Sequence, residues 1–176
     1  MLPRKVQIKL YAKDSTDAPI DSYITVFHRF IQENALEDLL IDVADYGHVP
    51  QGPGVLLVGH AGDYSLDEGE GRPGLCYLRK RDLPEGSNLV LDGLSKTLRA
   101  AELLEQREEV KGPKGFSTDE ILLRFPDRLA VQNDEEGFSE VRDMIHKALS
   151  EAFPEKKYSL SREGEAREPL TVRAVC

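Results

Sequence analysis

Lys5-Val6-Gln7-Ile8-Lys9-Leu10 is the stretch that decides the fold. Its apolar residues fall at every second position, the period of a strand that buries one face and wets the other. A sheet built from such strands needs cover on one side only. Three segments offer that cover. Ile20, Ile24, Phe27 and Ile31 recur at helical spacing, with Asp21 or Ser22 as N-cap, after the turn-rich Asp14 to Pro19. Leu94, Leu98, Ala101 and Leu104 form a stripe in a charged helix from about Asn88 to Glu109, stopped by Lys111-Gly-Pro-Lys-Gly115. Phe138, Val141, Ile145, Leu149 and Ala152 form the third, between Pro154 and an Asn133/Glu136 pair with the letters of a capping box.

Further strands are expected at Leu39 to Asp45, Val55 to Val58, Leu75 to Leu78, Glu120 to Phe125, Tyr158 to Ser161 and Leu170 to Val175. The run Val55-Leu-Leu-Val58 is apolar at every position, which predicts a place in the middle of the sheet. Gly59 to Gly74, rich in Gly and acid, reads as one long connection. Val6 to Asp45 and Glu120 to Ser161 each read as strand, helix, strand, which suggests two right-handed βαβ units in one sheet. The expected class is α+β: a mixed, mainly antiparallel sheet with helices packed on one face, a ferredoxin-like variant, with a three-layer α/β open sheet as the alternative. Residues 1–176 are read as a single domain in which Arg162 to Glu168 is an exposed, charged linker.

Composition narrows the function. The chain of 176 residues carries 23 Lys+Arg against 32 Asp+Glu, a net charge of -9. Such an acidic protein is a poor binder of duplex nucleic acid or anionic lipid, both of which require a positive field. Single-stranded nucleic acid stacked on Tyr11 and Tyr77 beside Arg79 is disfavoured for the same reason. No membrane span is expected, because the longest uncharged stretch, Tyr46 to Gly62, contains Pro50 and Pro53. Cys76 and Cys176, the only cysteines, make no disulfide framework and suit a reducing, cytoplasmic setting.

Two motif matches fail on context. Gly69-Glu-Gly71-Arg-Pro-Gly74 has the letters of a dinucleotide fingerprint, but it sits among acids and leads into a strand rather than a helix. Gly54 to Gly59 begins like a phosphate loop, yet His60-Ala61 stands where Lys and Ser or Thr must be. Arg79-Lys80-Arg81 reads as a solvated strand end.

One constellation survives: Asp45, Tyr46 and His48 before the apolar run, and His60, Asp63, Tyr64 and Asp67 after it. These are candidate ligand-binding residues, and His48, His60 and Asp63 are candidate ligands for a divalent metal. The two groups share a site only if the strands carrying Asp45 and His60 are parallel.

Leu40 to Asp67, together with Gly74-Leu-Cys-Tyr-Leu-Arg-Lys-Arg81, resembles a block found in a family of uncharacterised soluble bacterial proteins. The resemblance implies a bacterial, cytoplasmic protein and carries no activity, cofactor or site. The functional expectation is therefore a non-catalytic ligand-binding or protein-interaction module with a small-molecule or protein partner. A homodimer would form through a sheet edge or the Leu94 to Leu104 helix. The alternative is a metal-binding protein or metal-dependent enzyme built on His48 and His60.

Overall fold

The N-terminal alternation is the pleat of strand β1 (Gln7–Ala12) in the computed structural model, which describes residues 2–14, 21–50, 52–111 and 115–176. Ile8 and Leu10 are fully buried in the core, while Gln7, Lys9 and Tyr11 lie on the opposite face. The chain continues through α1 (Asp21–Glu33), β2 (Leu40–Tyr46), β3 (Gly54–Gly59), β4 (Gly62–Asp67), β5 (Gly74–Arg79), α2 (Leu89–Glu105), β6 (Phe116–Phe125), α3 (Glu135–Ala152), β7 (Ser159–Glu163) and β8 (Leu170–Val175). The eight strands form one open sheet in the order β2-β3-β4-β5-β1-β6-β8-β7, and every neighbouring pair is antiparallel.

The α+β class and the helices on one face hold, so the sheet has two layers rather than three. The expected βαβ units are present in widened form. β1 and β2 are parallel with three strands between them, and β6 and β7 are parallel with β8 between them. A third crossover, β5-α2-β6, straddles β1. With all helices on one face these crossovers share one hand, as the twist of strands demands.

Two strand expectations are corrected. Val55 to Val58 falls in β3, next to the sheet edge, and the centre belongs to β5 and β1. Leu56 and Val58 point away from the helices and are only half-buried, so an apolar run on both faces here does not mean a central position. Nor is Gly59 to Gly74 one connection, because β4 lies within it. Tyr64 and Leu66 alternate with Asp63, Ser65 and Asp67, a strand period disguised by its acids.

The glycines of Gly59-His60-Ala61-Gly62 serve the tight β3–β4 turn. A Cβ on Gly59 would stand 2.5 Å from the Asp38 carboxylate, and one on Gly62 would stand 2.5 Å from the Tyr77 hydroxyl. The cap of α3 is also corrected. Asp134 accepts from Gly137 N at 2.8 Å, while Asn133 is buried and its amide donates to the carbonyls of Glu163 and Glu165 at 2.8 and 3.2 Å. Asn133 thus ties down the charged β7–β8 connection, of which 164–168 are exposed.

Leu94 and Leu104 of α2 are fully buried against the sheet, so that stripe is core and not a dimer surface. No helix among the described residues is long and apolar enough to cross a membrane. The expected turn over 15–19, the helix-face residue Ile20 and the helix stop over 112–114 lie outside the described residues.

Candidate functional site

The antiparallel pairing of β2 with β3 separates the two predicted groups. Tyr46 is opposite Gly54 and Leu40 opposite Gly59, so His48 is in the β2–β3 loop and His60 in the β3–β4 turn at the other end of the sheet. About 20 Å of strand lies between them. Both are exposed, and no three or more His, Cys, Asp or Glu among the described residues are grouped to hold a metal ion. A shell of His48, His60 and Asp63 is therefore not assembled.

The other members have local duties. Asp45 Oδ1 accepts from Gly47 N at 2.8 Å, an Asx turn. Asp63 accepts from Gly59 N and pairs with Lys80 at 2.7 Å. Tyr46 is half in solvent on the edge strand. Asp67 and Tyr64 occupy opposite faces of the sheet and belong to different features. Tyr11 and Tyr77 are likewise on opposite faces, and Arg79 lies under α2, paired with Asp92 at 2.8 Å, so no stacking platform of Tyr11, Tyr77 and Arg79 exists.

Asp67 joins a lattice of charges on the helix-free face. Lys9 is only 4% exposed and its Nζ lies 3.0 Å from Asp67. Glu120 accepts both Arg72 nitrogens at 2.8 Å and pairs with Arg173, which also holds Glu163 and the Tyr11 hydroxyl. The Arg72 hydrogen bonds hold the Glu120 carboxyl down, to about 2. The Arg72 guanidinium stacks 3.7 Å from the Tyr11 ring centre. Cys76 is buried beside Asp67, and burial pushes its thiol pKa up, which makes it a packed side chain rather than a nucleophile. The hollow left in this face, about 140 Å³, is small. Its charges answer one another across strands, as cross-strand pairs do.

The larger opening is on the helix side. α1 packs on β2 and β3, and α2 packs on β5 and β1, so the helical layer parts above β4. The result is a cleft of about 670 Å³, within the range of small-molecule sites. Tyr64 forms its floor, Leu36, Leu83 and Leu91 line its walls, and Lys96 and Arg99 stand on one side. The local sequence fixes each wall. Asn34 ends α1 in the left-handed region at φ 49° and turns the chain across the opening. Asn88 caps α2 by accepting from Val90 N and Leu91 N at 3.0 and 3.1 Å. Arg79 fixes Asp92 of the first turn of α2 to β5.

Tyr64 is 1% exposed and its ring lies 4.8 Å from that of Tyr77. Desolvation raises its pKa, so it stays a neutral phenol. Its hydroxyl makes no hydrogen bond to any described residue, although it lines the cleft. No fully buried side-chain nitrogen or oxygen among the described residues lacks a partner, so this hydroxyl is at the cleft surface rather than sealed in the core. No histidine lines this cleft, so it contains no imidazole base. Its equipment is a donor on the floor, an apolar wall and two cations.

Of the predicted site residues, Tyr64 alone reaches this cleft. Lys96 and Arg99 escape sequence reading because they fall on the polar side of an amphipathic helix, where charge normally means solvent. No family model matches the chain, and no curated protein matches it.

Proposed function

We propose that the protein is a non-catalytic ligand-binding module whose site is the cleft above β4. The observation that supports this reading is an opening of small-molecule size lined by apolar side chains, two cations and Tyr64, whose hydroxyl makes no hydrogen bond to a described residue. A preformed apolar cleft with a few convergent polar groups is the usual form of such a site. Two free thiols and an acidic chain suit a cytoplasmic setting.

The experiment is a fragment screen by ¹H–¹⁵N correlation spectroscopy on the wild type and on Ser95→Trp, which places an indole from α2 into the cleft. Fragments should shift Asn34 to Glu37, Tyr64 and Leu91 to Arg99, and lose affinity in the variant. A screen with no hits, or with hits that ignore Ser95→Trp, rejects the reading.

A second reading, self-association through the β2 edge, is favoured by one observation. Leu39, Ile41, Tyr46 and Val49, four of the seven exposed large hydrophobics among the described residues, lie on or beside that strand. Against it, Asp42 Oδ1 already accepts the β2 amide of Val43 at 2.8 Å. A monomeric mass by light scattering up to millimolar protein would remove this reading.

A further inference from the structure

We infer that the cleft above β4 selects a small organic anion, an apolar body carrying a carboxylate or phosphate, with Lys96 and Arg99 as its recognition groups. The inference rests on the cleft being a ligand site and adds the chemistry of what enters it.

Charge carries the argument. Asp92 lines the cleft but is matched to Arg79 at 2.8 Å in a largely buried pair, so it neither repels an anion strongly nor attracts a cation. Lys96 differs. Its side chain is mostly buried, and its Nζ is 3.6 Å from a Glu37 carboxylate that is 95% exposed. The same Nζ reaches the Glu37 carbonyl at 3.4 Å, so Lys96 spans the opening from α2 to the α1–β2 connection. An ion pair whose acid is in bulk water contributes little, and Glu37 is free to swing out and leave the ammonium to a better-seated anion. Arg99, one turn further along the same face of α2, pairs among the described residues only with Glu102, at 2.6 Å, and both members are more than half exposed. In a chain of net charge -9, this cleft thus presents two cations held by displaceable surface acids.

The remaining contacts fit the same class. An apolar body would lie against Leu36, Leu83 and Leu91, and the Tyr64 hydroxyl would donate to an oxygen at the inner end. Arg99 offers the forked geometry suited to a carboxylate or phosphate, and Lys96 a point charge.

The test uses three probes of one shape on the full chain: 2-naphthoate, neutral 2-naphthamide and 2-naphthyl phosphate, titrated by correlation spectroscopy. At least one anion should bind about tenfold tighter than the amide, the ratio expected of a charge-assisted contact. Whichever anion binds more tightly identifies the head group. Lys96→Gln and Arg99→Gln, both changes to a good helix former, should each bring the anions down most of the way to the affinity of the amide. Ser95→Trp should abolish all three. Equal binding of anions and amide, unaltered by Lys96→Gln, overturns the anion inference while the cleft reading survives. Loss of no probe in Ser95→Trp, or no binding of any probe, overturns both.

Discussion

Asp38 joins one wall of the cleft to the strand beneath it, and its removal tests how that wall is held. Both of its carboxylate oxygens accept from Ala61 N at 3.0 Å, and Oδ2 also accepts from Gly62 N at 3.2 Å. The α1–β2 connection is thereby anchored to the β3–β4 turn, 23 residues on. Hydrogen bonds to a charged group contribute about 1.5–3 kcal/mol each. Water reaches this half-buried site in the variant, so Asp38→Ala should cost about 2–3 kcal/mol for the two amides together. For a chain of this length that is a fall in Tm of roughly 5–10 °C. Asp38→Asn keeps one neutral acceptor oxygen and should lose about half as much. Urea denaturation would show a lower midpoint with an unchanged slope, and hydrogen exchange would show the Ala61 and Gly62 amides unprotected while β5 and β1 remain slow. Stability within about 0.5 kcal/mol of wild type, with those two amides still protected, would refute the reasoning.

Three further outcomes follow from other parts of the molecule. Glu120 has a folded pKa below its unfolded one, so its stabilisation is complete above about pH 4.5 and is lost as the pH falls toward about 2. Glu120→Gln should cost about 1–2 kcal/mol at pH 7 and flatten the acid limb of a stability-versus-pH profile; an unchanged limb would count against the lattice. Thiol titration at pH 8 should detect the exposed Cys176 alone in the native chain and Cys76 as well in urea, whereas fast labelling of native Cys76 would contradict its burial. Tyr64→Phe should alter stability by less than about 0.5 kcal/mol, since no hydrogen bond is lost, and a cost above 1 kcal/mol would reveal a partner for the phenol.

Much of the fold was legible because its signals are local. The alternation in β1 and the stripes of α2 and α3 are set by neighbours in sequence and match the structure, whereas the buried face of α1 is Tyr23, Val26, Phe27 and Phe30, with Ile24 and Ile31 at its margin. β4 hides in the sequence because Asp63, Ser65 and Asp67 on its second face look like loop residues, although that face is held by Lys9 of β1, Cys76 of β5 and Lys80 just beyond β5. The position of β3 is hidden for a related reason: burial of a strand's second face depends on what lies beyond the sheet. The site was hardly legible at all. His48 and His60 are 12 positions apart in sequence and at opposite ends of a hairpin, a distinction carried by strand direction alone. The cleft exists because two helices diverge over β4, and divergence of packed elements leaves no periodic trace in either helix.

The most direct test of the account is a crystal structure of the protein soaked with the tightest-binding naphthyl probe. Density for the ring should appear between Leu36, Leu83 and Leu91, with an oxygen within hydrogen-bonding distance of the Tyr64 hydroxyl and Glu37 turned away from Lys96. A probe bound on the helix-free face or along the β2 edge, with only water above Tyr64, would contradict it.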